Sequence, residues 1–105
     1  MKRLPTQEGK EIVADTDNDV RLFNDAQSSV SKSTNLYLHE TKNGKRYYYL
    51  HELTPFEKLT ENYKIIDERT AIEFIRLKAE IGIWGLANHE KTLAEKYFPG
   101  IFEDD

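Results

Sequence analysis

The chain has 105 residues, 38% of them apolar and 32% charged, with five Phe, six Tyr and one Trp. That is enough for one domain with its own core, too short for two ordinary ones, and too rich in large side chains for a disordered chain. The absence of cysteine excludes disulfide frameworks, thiolate nucleophiles and Cys-ligated zinc, and 19 acids against 15 bases, a net charge of −4, disfavour long-range attraction to nucleic acid or anionic membranes.

The first residues include two bases but no apolar stretch follows them. Nowhere is there an apolar run long enough to span a bilayer, so a soluble cytoplasmic protein is expected. Residues 1–34 read as a polar N-terminal segment. Its two apolar islands, "EIVAD" and "VRLFN", are separated by the turn-forming "TDND" and suggest a loose hairpin, followed by the Ser-rich connector "AQSSVSKST". Residues 35–105 read as the α+β domain proper.

Within "NLYLHETKNGKRYYYLHEL" an Asn-Gly pair separates two β-rich runs, a strong hairpin signal. A two-residue turn would set Lys42 opposite Lys45, which is unfavourable. A three-residue loop with Gly44 left-handed as a bulge instead pairs Glu40 with Arg46, His39 with Tyr47, Leu38 with Tyr48, Tyr37 with Tyr49 and Leu36 with Leu50. One face then carries Leu36, Leu38, Tyr48 and Leu50 and is the core face. The other carries Tyr37, His39, Tyr47, Tyr49 and His51, with Lys45 and Arg46 at the tip.

In "TPFEKLTENY" Thr54, Pro55 and Glu57 form a capping-box pattern for a helical turn or two, and "YKIID" reads as a third strand. Asp67 or Thr70 should cap a helix over 68–81. Its polar stripe, Arg69, Glu73, Arg76 and Glu80, offers two ion pairs worth only ~0.2–0.5 kcal/mol each, and its apolar arc is wider than one sheet needs. Gly82 and Gly85 predict a break with Trp84 in the corner. Asn88 should cap a second helix, with Leu93, Ala94, Tyr97 and Phe98 buried until Pro99-Gly100 stops it and Ile101 and Phe102 fold back. The architecture expected is α+β: an antiparallel hairpin or three-stranded sheet packed on a main C-terminal helix, followed by a shorter one. This order resembles that of small prokaryotic proteins in general, a likeness that implies no activity.

Asp15, Asp17 and Asp19 match the first positions of a calcium loop, but Val20 stands where its glycine belongs and Ala26 where its glutamate belongs, so a solvated acidic turn is expected and no metal site. His39 and His51 are both on the outer face, ~13 Å apart at strand rise, too far to share a zinc ion. No nucleophile elbow, phosphate loop or convergent carboxylate pair is present, so neither catalytic residues nor a cofactor are expected. A helix-turn-helix reading fails because the second helix is electrically neutral.

The outer hairpin face, Tyr37, His39, Tyr47, Tyr49 and His51 with Lys45 and Arg46, is the candidate binding surface. Three uses compete for its rings: cover by the N-terminal segments, an interface with a protein partner or a second copy, and stacking of single-stranded nucleic acid. The function expected is a non-enzymatic binding or regulatory module acting through protein contact. Single-stranded nucleic-acid binding is the alternative, and a small hydrolase or nuclease with an unrecognised site comes third.

Overall fold

The computed structural model describes residues 2–6, 8–25, 33–54, 60–81 and 85–103. Six strands precede two helices: β1 (Lys2–Pro5), β2 (Glu11–Ala14), β3 (Val20–Phe23), β4 (Ser33–Glu40), β5 (Arg46–Thr54), β6 (Thr60–Ile66), α1 (Glu68–Glu80) and α2 (Asn88–Tyr97). Strands β1 and β2 form a two-stranded sheet, and β3-β4-β5-β6 a second sheet in chain order. All pairings are antiparallel, and with the two C-terminal helices the fold is α+β.

The β4–β5 ladder has the register that the Gly44 bulge dictates, with Glu40 opposite Arg46 and Leu36 opposite Leu50. The Thr41 N–H donates to the Lys45 carbonyl (2.8 Å), the Gly44 N–H to the Thr41 carbonyl (2.9 Å), and Gly44 has φ +82°. Two-residue alternation then turns Leu36, Leu38 and Tyr48 into the core beneath the helices, with Leu50 half-buried beside them.

The N-terminal pairing differs from expectation. "EIVA" does not fold back on "VRLF"; it pairs with "KRLP", Leu4 opposite Ile12, while β3 joins the main sheet beside β4. The physical reason lies in the turn "TQEGK", the counterpart of "TKNGK" at 41–45. The Thr6 N–H donates to the Lys10 carbonyl (2.7 Å), the Gly9 N–H to the Thr6 carbonyl (3.2 Å), and Gly9 has φ +81°. The composition change at residue 34 therefore does not separate the sheet from what precedes it, because β3 lies before it. The connector at 26–32 lies outside the described residues. The ladder shifts between Arg21 and Phe23, and this bulge lets the adjacent Leu22 and Phe23 both enter the helix-side core, where Phe23 meets Phe74 edge-on at 5.5 Å.

Thr54 ends β5 opposite Thr60. The helical turn expected over 55–59 lies outside the described residues. "YKII" is the end of a longer strand, β6, and with β3 alongside β4 the main sheet has four strands. Asp67 caps α1 by accepting the Thr70 N–H (2.7 Å). Arg69 pairs with Glu73, but Arg76 donates to the Ile101 carbonyl (3.0 Å) instead of meeting Glu80, and thereby holds the C-terminal turn against α1. Gly82 and Trp84 of the expected corner lie outside the described residues. Helix α2 starts one residue before the expected place. Ala87 is its cap residue because buried Glu90 reaches back to the Ala87 N–H (2.9 Å). The second oxygen of Glu90 accepts the Asn24 N–H (2.7 Å), tying α2 to the end of β3. Ala94, Phe98 and Ile101 complete the core, with Leu93, Tyr97 and Phe102 half-buried at its edge.

Candidate functional site

The side of the main sheet facing away from the helices was expected to present its rings outward. The alternation does place Tyr37, Tyr47, Tyr49 and His51 on that side, but it is not open. β1 and β2 lay Leu4, Ile12 and Ala14 over it and form a second apolar cluster with Tyr37 and Tyr49, edged by Tyr47, Tyr63 and Ile65. Tyr49 is 0% exposed, Tyr37 5% and His51 7%, so these three are corrected from surface to interior. The physical reason is that Leu4, Ile12 and Ala14 share the inner side of β1–β2 and seal the face over β4, β5 and the edge of β6. Tyr37 and Tyr49 stack with ring centres 5.3 Å apart and planes 9° from parallel.

The Tyr49 hydroxyl in this second cluster is satisfied from the acidic turn between β2 and β3. The Tyr49 hydroxyl donates to Asp19 Oδ2 (2.7 Å), which also accepts the Asp15 N–H (3.0 Å), while Oδ1 lies 2.9 Å from His39 Nδ1. Burial pushes the Tyr49 hydroxyl far above the usual phenol range, and the neighbouring Asp19 carboxylate pushes it further. Asp15 faces the turn itself, accepting from the Asp17 N–H and from Asn18 Nδ2, so the three aspartates do not converge. Asn18 beside it holds its carboxyl below the usual range. His51 Nε2 lies 3.0 Å from Glu61 Oε1, and among the described residues its Nδ1 has no hydrogen-bond partner. The two histidines thus serve different carboxylates, and among the described residues no three His, Asp or Glu are arranged to hold a metal ion.

What the structure does bring together is the tip. Lys45, Arg46 and half-buried Tyr47 line a cleft of ≈ 500 Å³ with Thr6 and Glu8 of the β1–β2 turn, Ile65 and Ile66 of β6, and Asp67 and Glu68 at the start of α1. Lys45 forms an ion pair with Glu8, and the Tyr47 hydroxyl donates to the same carboxylate (3.3 Å). The two turns thereby clasp each other. The hydrogen bond from Lys45 holds the Glu8 carboxyl below its usual range and raises the Lys45 ammonium in return. Glu40, accepting from Arg46 Nε (3.1 Å), raises the Arg46 guanidinium further, and Thr70 holds the Asp67 carboxyl low. Arg46 also lies over the Tyr97 ring, 5.1 Å from its centre.

Of the seven expected binding residues, Lys45, Arg46 and Tyr47 share the cleft. Tyr37 and Tyr49 are beneath β1–β2, His51 is buried between Tyr37, Tyr63 and Glu61, and half-buried His39 is engaged with Asp19. Sequence reasoning missed Thr6, Glu8, Asp67 and Glu68. The repeated T-x-x-G-K pattern could have found the first pair, since it predicts two like turns able to meet. Comparisons with protein-family models, with characterised proteins and with solved structures find no match to this chain.

Proposed function

We propose that the chain is a small binding module without an enzymatic role, acting in the cytoplasm by contact with another protein, and that the cleft beside the Gly44 turn is where contact is made. One observation supports this reading above the others: a cleft of ≈ 500 Å³ whose walls carry charges of both signs and whose floor is aromatic and aliphatic. Such a mixture suits a surface that is solvated when free and desolvated when bound. Stacking of single-stranded nucleic acid has less support, because the ring faces it would use lie under β1–β2. Hydrolysis lacks a convergent acid–base pair among the described residues.

The test is selection of displayed peptides on the intact protein, followed by measurement of each binder against a Lys45→Glu, Arg46→Glu double variant and against Leu77→Ser on α1. Binders whose affinity changes about tenfold or more, in either direction, on the double variant only support the cleft, an effect of the size expected for anchor residues. Binders indifferent to both changes overturn it.

A second reading, self-association, is favoured by α1, which leaves Leu77 64% and Ile81 50% exposed one turn apart. A mass by sedimentation that rises with concentration and returns to that of the monomer in Leu77→Glu is the expected result. A monomeric mass throughout excludes it.

A further inference from the structure

We propose that the cleft takes an extended, basic peptide segment of a partner protein, added as a short strand beside the start of β5. This rests on the reading of the cleft as the contact site and specifies its occupant. The argument begins with the direction of the β5 backbone. Because the Thr41 N–H donates to the Lys45 carbonyl, the Lys45 peptide groups face β4. In an antiparallel ladder the facing alternates, so Tyr47 and Tyr49 also bond toward β4, while Arg46 and Tyr48 turn theirs toward β6. Tyr48 meets Ile66, and there the β5–β6 ladder ends, since the chain turns into α1 at Asp67. Among the described residues no strand lies beside Arg46 on that side. Its N–H and C=O are directed into the cleft, where they offer the donor–acceptor pair to which strand addition attaches.

The side chains define what can attach. An added strand would present alternate residues to the two faces of the sheet. One set would meet Tyr47 and Ile65, the other Tyr48, Ile66 and Glu68. Lys45 and Arg46 are each already matched by a carboxylate, Glu8 and Glu40. Asp67 and Glu68 remain on the α1 wall, Asp67 with one oxygen engaged by Thr70. The lining therefore has an excess of negative charge within a chain of net charge −4, and lysine or arginine is the complementary side chain.

The experiment uses the ¹⁵N-labelled full chain and three end-blocked octapeptides: alternating lysine–valine, the same peptide N-methylated at every second residue, and alternating glutamate–valine. Expected are shifts of the Arg46, Tyr47 and Glu68 amides and slowed exchange at Arg46 with lysine–valine. Binding should be about tenfold or more weaker for each of the other two peptides. Glu68→Gln, with an unchanged circular dichroism spectrum, should lose part of the preference for lysine over glutamate. Equal shifts of the cleft amides by lysine–valine and its methylated form overturn strand addition and leave the cleft as a contact site. Absence of shifts at Arg46, or shifts confined to residues outside the cleft, overturns the proposal, while the peptide selection decides the contact reading separately.

Discussion

The two faces of the four-stranded sheet bury similar rings by different means. Toward the helices, Leu36, Leu38 and Tyr48 pack into a cluster closed by Ala71 and Ile75 of α1 and by Ala94 and the cap residue Phe98 of α2. Toward β1–β2, Tyr37 and Tyr49 are covered by Leu4, Ile12 and Ala14 from a sheet of two four-residue strands, and the hydroxyl of Tyr49 needs Asp19. The difference teaches that one alternating sequence can supply two cores, one held by apolar volume and the other by a thin cover with polar fastenings. The cleft lies where that cover meets the sheet tip.

The comparison can be broken first on the helix side. Leu38→Ala should cost about 2–5 kcal/mol, read as a lower denaturation midpoint of the whole chain. On the other face Tyr49→Phe removes a hydrogen bond to a carboxylate and should cost about 1.5–3 kcal/mol. It should also change the alkaline limb. The Tyr49 hydroxyl is raised above its ordinary value of 10.0, so its contribution is fully present below that pH and declines as pH rises through it, because the unfolded chain ionises first. Stability measured upward from pH ~10 should therefore fall less steeply in Tyr49→Phe than in the wild type.

Gly44→Ala should cost about 1–2 kcal/mol, since an L-residue resists the left-handed backbone there, and it would sharpen the comparison by loosening the tip that both faces share. The smallest effect is expected from Lys45→Ala. Both partners of its ion pair are solvated, so the midpoint should not move measurably, while hydrogen exchange in β1 and β2 should quicken relative to β4. Equal quickening in both sheets would show that the cover does not open separately.

The hairpin at residues 36–50 was legible down to its register because Asn-Gly chemistry, charge pairing at the tip and the leucine alternation all demand one solution. Cover of the outer face by N-terminal segments was among the readings the sequence allowed, but the strand pairing that makes it was not legible. Strand β1 offers a single apolar inward residue, Leu4, and no periodicity can be read from one position. The adjacent burial of Leu22 and Phe23 also escapes a period of two, because a bulge breaks it. Of the Thr-Pro-x-Glu pattern at 54–57 only Thr54, the last residue of β5, lies among the described residues. Of the cleft, the cations and Tyr47 were within reach of sequence reasoning. Glu8 was signalled only by the repeated T-x-x-G-K pattern, because its role depends on two turns 35 residues apart in the chain, at Gly9 and Gly44, being brought together by the cover.

The chain-order succession of β3, β4, β5 and β6 bears on how this protein reaches its native state. Each strand finds its partner next in line, so the search closes short loops first, and such local topologies cross their barrier quickly. If the Gly44 turn nucleates assembly and the Gly9 turn joins after the barrier, Gly44→Ala will slow refolding, whereas Gly9→Ala will chiefly hasten unfolding.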